Sequence, residues 1–522
     1  MVSLIDRLSA RYTVIAPDTP GNGLSEPLPA APETLTMGDF ADNLAMLLDA
    51  LGIARAFIYG FHTGALCALS FAGRHPERAA LVVANGYMEM DAALADDICR
   101  NYIVPFALDW TGSHLTWWWA RLRDQYAFFP FHRQTAATRT DFDIPGFDAL
   151  HTAFIDMLRA GDGYRGPYAS AYRFDGVATR REARAPTLLI ADETDILYPY
   201  VQRLPRNEGA VRVGLAEDPA GAEALLERTL AAEHTLPDPP PPPAQRLVEQ
   251  AISHDFIQIA PGSLHALRAA GPGRPILFLH DFAGSAEAVA RRMQPFLGRR
   301  SLLAIDLPGC GESFVPAAYD PSTIATIIAE ALDTLDIETV DIVAEGAGAS
   351  VAIALTALHP ARVHRIAAPI GFIDGGLAGE ALDRAIDDHA PPIVPDHAGT
   401  HVPFLWTMLR DRALFHPWRS HRSADALRDG EPDVAPETIQ RRAVDWLKTL
   451  PRTGEMARAL LTFPLDDVAA DLTVPILTGL RRGPTRPLAI DPPGSRRAVL
   501  PEDVAAHAAA LLAFFDDRGD VR

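Results

Sequence analysis

The chain has 522 residues, of which 48% are hydrophobic, and carries a formal net charge of −20. That hydrophobic content supports large packed cores and argues against extended disorder. The acidic balance, with no cluster of Lys and Arg, argues against a nucleic-acid partner. No run approaches the roughly 18 apolar residues of a membrane span. Residues 1–11 have scattered charges and lack the apolar centre of a signal peptide. Three cysteines, Cys67, Cys99 and Cys310, are few and far apart, so they fit a reducing cytoplasm and no metal motif. Cys67 reads as a small buried residue. Domains of about 200 residues are common in α/β proteins, so the length is read as two domains.

In chain order, Tyr12–Ala16 is expected to form a buried strand, followed by the loop Pro17-Asp18-Thr19-Pro20-Gly21-Asn22-Gly23-Leu24-Ser25. An amphipathic helix is expected over Met37–Leu51. The apolar run Ala56-Phe57-Ile58 then leads into Tyr59-Gly60-Phe61-His62-Thr63-Gly64-Ala65, with a helix over Leu66–Arg74. Strand, Gly-x-X-x-Gly turn and helix make a tight elbow whose central residue projects over the sheet edge. Here that residue is His62. A strand at Leu81–Asn85 precedes a long aromatic helical region, and further strands are expected at Thr187–Ile190 and Val211–Leu215. The prolines of Leu236–Pro243 read as a stiff spacer.

The second half repeats the first. Leu302–Ile305 with Asp306-Leu307-Pro308-Gly309-Cys310-Gly311-Glu312-Ser313 matches the first strand and loop, and Ile324–Leu335 matches the helix. Val340-Asp341-Ile342-Val343-Ala344-Glu345-Gly346-Ala347-Gly348-Ala349 matches the elbow, with Gly346 at its centre. Gly112-Ser113-His114 through Trp119, then Leu122-Arg123-Asp124, Phe128 and Pro130, matches Gly399-Thr400-His401 through Trp406, then Leu409-Arg410-Asp411, Phe415 and Pro417. Similarity in that detail indicates duplication of a whole domain. Only the second copy has strands at its front, Phe256–Ile259, Leu264–Leu267 and Pro275–Leu279, ending in His280-Asp281-Phe282-Ala283-Gly284.

The two elbows, the two D-x-P-G-type loops and the long insertions after Asn85 and Ala367 resemble the α/β-hydrolase superfamily. The resemblance implies an α/β fold: two tandem α/β-hydrolase domains, each a mostly parallel sheet flanked by helices with a helical cap. The domains are expected at 1–235 and 246–522, joined by a linker at 236–245. The first copy is expected to lack its N-terminal strands, which would leave a gap beside the elbow strand with unpaired backbone groups. A start assigned too late, or a truncated repeat whose sheet has closed up, would each account for that. The His280–Gly284 segment resembles the H-G-x-x-G loop that completes the family's oxyanion hole, with Asp281 in place of Gly.

An active member is expected to carry a nucleophile at the elbow, an acid after the seventh strand and a His after the eighth. The nucleophile position holds His62 in one copy and Gly346 in the other. Asp195, four residues before Pro199, falls on the first acid position, but Ala216-Glu217-Asp218 offers no His. His234 lies beside the linker. In the second copy the acid loop reads Gly479-Leu480-Arg481-Arg482-Gly483-Pro484, and Arg496–Pro501 has no His; His507 falls inside the last helix. Losing a triad nucleophile or base costs about a millionfold in rate, so the second copy is expected to be a pseudo-domain. Two readings of His62 stand: an imidazole that fills the space left by a lost serine, or a working base. The longer side chain could reach Asp195 and form a dyad with one fixed tautomer and a raised pKa, with the Thr63 N–H as oxyanion donor.

Trp117, Trp118, Trp119 and His114 are expected to line an apolar pocket in the first cap, alongside Trp110, Tyr126, Phe128, Phe129 and Phe131. His114 and His401 also sit where helix starts are capped. Asp18 and Asp306 are expected to cap their loops. The functional expectation is an atypical hydrolase or lyase acting on a small apolar or aromatic molecule, without cofactor, metal, nucleic acid or membrane. The alternative is a non-catalytic ligand-binding or scaffolding pseudo-hydrolase. Oligomeric state is not legible.

Overall fold

A computed structural model describes residues 2–232, 236–243, 246–428, 430–480 and 484–517. His234 and Arg481–Gly483, weighed above, lie outside the described residues. The chain divides into two compact units. One comprises Met1–Ala107 with Arg121–Ala244, the other Leu108–Ala120 with Gln245–Arg522. Leu236–Pro243 forms neither helix nor strand.

In the first unit β1 (Ala56–Phe61), β2 (Ala79–Asn85), β3 (Thr187–Asp192), β4 (Asn207–Glu208) and β5 (Val211–Ala216) form a sheet in the order β1-β2-β3-β5-β4. All neighbours are parallel except β4, which runs antiparallel to β5. β3 is buried throughout, as a parallel strand covered by helices on both faces requires. The helix Met37–Ala50 and the elbow helix Thr63–Arg74 bury Phe40, Leu48, Leu66 and Phe71 against Val82 and Leu189. Each such side chain contributes about 1.5–3 kcal/mol when fully buried.

The second unit contains β6 (Ser253–Ile259), β7 (Gly262–Ala269), β8 (Ile276–Leu279), β9 (Leu302–Ile305), β10 (Val340–Ala344), β11 (Val363–Ala368), β12 (Ile476–Gly479) and β13 (Arg496–Ala498). Their order is β13-β12-β11-β10-β8-β9-β7-β6. β8 is the keystone. It pairs in parallel with β10, Ile342 opposite Leu277, and with β9, Leu277 opposite Leu303. All four of its residues are buried.

This pairing explains where the expected first strand fails. Tyr12–Ala16 is not a strand. Its counterpart β9 gets its ladder from β7 and β8, and the first unit has neither. Without a neighbour to exchange N–H···O=C bonds, the apolar sequence stays irregular, with Ile15 45% exposed. The sheet has not closed over the gap, because β1 remains its outer strand.

The elbow glycines record the same asymmetry. A side chain at Gly348 would meet the Leu279 and His280 carbonyl oxygens at the end of β8, 2.5 and 2.7 Å away, whereas one at Gly64 would meet nothing within 4 Å. Gly64→Ala is therefore expected to be neutral or stabilising by roughly 0.5–1 kcal/mol, since alanine suits a helix better. Gly348→Ala should cost about 1–3 kcal/mol, because the obstructing atoms are backbone. Urea melts of the two variants against the parent chain give the comparison.

Both caps fall between the sheet's sixth- and seventh-position strands, as helices between β2 and β3 and between β11 and β12. No helix among the described residues is long and apolar enough to cross a membrane.

Candidate active site

β1 ends at Phe61 and the elbow helix begins at Thr63, so His62 alone makes the turn. Its φ of 49° and ψ of −113° form a sparsely populated combination for a residue with a Cβ, a strain of about 1–3 kcal/mol. Two hydrogen bonds hold it there. The His62 N–H donates to the Asn85 carbonyl at 2.8 Å, and the Ala65 N–H donates to the His62 carbonyl at 2.8 Å. Gly346 adopts φ 50° and ψ −114° in the second unit, the same turn without the strain that a side chain adds.

The imidazole of His62 reaches the first unit's acid. Its Nε2 lies 2.8 Å from Asp195 Oδ2, while Asp195 Oδ1 accepts the Leu197 N–H at 2.7 Å. The Asp195 side chain is 6% exposed and the His62 side chain 39%, so a buried acid holds an accessible ring. Burial alone would raise the Asp195 pKa. The His62 hydrogen bond and charge, with the Leu197 N–H, overcome it, and the carboxyl sits below its ordinary 3.8. An ionised Asp195 can only accept, so the shared proton is on Nε2 and the free lone pair is on Nδ1. Phe61 stacks on the ring at a centroid distance of 4.0 Å and is itself 45% exposed. Thr63 opens the helix, where an N–H has no acceptor within the helix.

Gly86, which the sequence reading missed, makes room for this arrangement. It follows β2 with φ 83°, and a Cβ there would lie 2.7 Å from His62 Cδ2 and 3.5 Å from Leu197 Cδ1. Its signal was a lone glycine directly after a buried strand. Gly86→Ala is expected to push the ring off Asp195 and, with the left-handed backbone, to cost about 1–3 kcal/mol. Thermal melts, and loss of the downfield imidazole N–H proton in NMR spectra, check this.

Of the residues expected to line an aromatic pocket, His114, Trp118 and Trp119 are buried in the second unit, at 6%, 2% and 3% exposure, and Trp117 is 43% exposed. Trp119 Nε1 donates to the His397 carbonyl and Trp406 Nε1 to the Trp110 carbonyl, at 3.0 and 3.1 Å. His114 stands edge-on to Trp406, and His401 to Trp119. Each His Nδ1 also accepts a loop N–H, from Asp109 and Asp396, and His114 Nε2 meets Gln440 Oε1 at 3.0 Å. Indole and imidazole need such partners once buried, and these are found in packing contacts. Phe131 likewise packs on Tyr102 over the buried Arg121 guanidinium.

Asp18 and Asp306 cap their loops through the Leu24 and Glu312 N–H groups, at 3.0 and 2.8 Å. Burial pushes the Cys67 thiol up to about 12, which keeps it protonated and unreactive. Among the described residues no group of three or more His, Cys, Asp and Glu side chains could hold a metal ion.

A family model described as "alpha/beta hydrolase fold" matches residues 2–228 and 274–369. Over 134 residues the chain is 28% identical to the dihydrolipoyllysine-residue acetyltransferase component of an acetoin cleaving system from Cupriavidus necator, covering 25% of this chain and 36% of that protein. It is 34% identical over 113 residues to a 2-hydroxymuconate semialdehyde hydrolase from a Pseudomonas species, covering 21% of this chain and 40% of that protein. The chain thus spans less than half the length of these curated relatives. The solved structure of epoxide hydrolase A from Mycobacterium thermoresistibile aligns over 51% of this chain and 98% of its own, at 18% identity and a TM-score of 0.40.

Proposed function

This chain belongs to the alpha/beta hydrolase fold family, and from that premise we propose that its first domain, residues 1–235, is a general-base hydrolase or lyase built on His62 and Asp195. The observation that carries this is the 2.8 Å contact between His62 Nε2 and Asp195 Oδ2. Asp195 fixes the tautomer, so Nδ1 faces the reaction as the base. It takes a proton from water or from a substrate C–H, and the proton stays on the imidazolium opposite the carboxylate until it is passed to the leaving group. The Thr63 N–H stabilises negative charge on a carbonyl oxygen. Phe61, exposed and stacked on the imidazole, favours a small apolar or aromatic substrate. The hydrolase named among the curated relatives supports the hydrolytic direction.

The second domain, residues 246–522, is a degenerate copy without a triad, with Gly346 at the elbow. The protein works without cofactor in the cytoplasm, a reading supported by its three free cysteines. Neither elbow bears serine, so a fluorophosphonate probe is expected to label neither domain, as intact mass spectrometry would show. A panel of p-nitrophenyl esters and epoxides tests the function. Turnover that requires His62 supports it, turnover that survives His62→Ala removes His62 as the base, and none on any member favours a non-catalytic ligand-binding protein.

A further inference from the structure

The elbow of the second unit is filled from another loop. A Cβ built on Gly346 would land on the carboxylate of Asp281. Asp281 Oδ1 accepts two backbone N–H groups, from Ala347 at 2.9 Å and from Phe282 at 2.6 Å. Ala347 directly follows the elbow residue and Phe282 belongs to the loop after β8. These two donors converge where a hydrolase of this fold would receive the substrate's oxyanion.

The loop is rigid. His280 is fully buried, and its Nε2 accepts the Leu307 N–H at 2.9 Å, so Nδ1 bears the proton that is given to the Asp281 carbonyl at 2.7 Å. Asp281 therefore projects toward the elbow from a fixed base. Two cap arginines supply positive charge near it: burial lowers the pKa of Arg412 (to about 10) and of Arg442, and the Asp281 charge acts in the opposite sense on both. Burial lowers the pKa of His389 as well, which favours its neutral form.

We propose that Asp281 is a built-in ligand that occupies the second unit's oxyanion cradle, and that a free small carboxylate takes its place when Asp281 is removed. The two substitutions belong together. Glycine at 346 leaves the space that the carboxylate of residue 281 needs, and any side chain at 346 would evict it.

Carbon-13 acetate, titrated against the full chain and followed by line broadening, is the test. The wild type is expected to show no saturable binding. Asp281→Gly should bind acetate at least about tenfold more tightly. Asp281→Asn should behave as wild type, since its amide oxygen can accept the same two N–H groups. Gly346→Ala should bind no acetate, because its Cβ fills the position that a carboxylate oxygen needs. Equal binding by wild type and Asp281→Gly overturns the proposal, as does acetate binding by Asp281→Asn that matches Asp281→Gly. Absence of binding in Asp281→Gly, with its near-ultraviolet circular dichroism unchanged, also overturns it, as does binding by Gly346→Ala as tight as that of Asp281→Gly.

Discussion

His62→Ala is expected to lower kcat on any responsive ester or epoxide by about 10²–10⁴-fold, the usual contribution of a positioned general base, with KM changed little. Alanine keeps the Cβ that is crowded at φ 49°, so the substitution leaves the strain of the turn in place. A melting temperature close to that of the parent chain assigns the loss of rate to the missing imidazole. Asp195→Asn separates the two halves of the dyad. An amide oxygen still holds the ring but carries no charge to stabilise the imidazolium, so kcat should fall while the ring stays seated. Thermal melts alongside initial rates read both effects. Unchanged rates in His62→Ala would reduce the imidazole to a filler of empty volume.

The second large effect concerns stability. Asp306→Ala should cost about 3–5 kcal/mol, because it removes a buried carboxylate that accepts three hydrogen bonds, each worth about 1.5–3 kcal/mol when one group is charged. Asp306 is 1% exposed and accepts the His265 Nδ1–H at 2.8 Å, the Glu312 N–H at 2.8 Å and the Ala286 N–H at 2.5 Å. Asp18→Ala, at the matching position of the first unit, removes one exposed loop bond to Leu24 and should cost less than about 1 kcal/mol. The partners that make Asp306 expensive, on β7 and at the start of the helix Ala286–Met293, have no counterpart in the first unit. The pH dependence has a definite sign. Burial raises the Asp306 pKa, but His265, His280 and the Ala286 N–H more than offset this and hold it below its ordinary 3.8. Its stabilisation is therefore complete at neutral pH and is lost as pH falls through the folded-state pKa, where wild type and Asp306→Ala should converge. Chemical denaturation at pH 7 and pH 3 measures it.

The duplicated fold and the His62–Asp195 contact were legible because they follow from local patterns. An elbow states its own geometry, and the acid loop stands at a fixed distance from Pro199. Two features were not legible because they depend on what a segment lies beside. Tyr12–Ala16 has the composition of a strand, but its ladder depends on β7 and β8. Trp118 and Trp119 look like pocket residues in any aromatic helix, and only tertiary placement shows Trp118 buried and Trp119 in contact with His397 and His401. Asp281 was noticed as a departure from the family pattern, yet its meaning required Gly346 in view. Sequence shows each change separately, and space shows that one makes room for the other.

The second unit is assembled from stretches of chain that are not contiguous, with Leu108–Ala120 built into it ahead of Gln245. A protease that nicks the proline tract would therefore cut the polypeptide without unthreading that earlier piece. The two fragments should travel together on a sizing column until denaturant frees the indoles of Trp119 and Trp406, and expressing either half alone should leave a tryptophan-rich scar on a sticky, poorly soluble product.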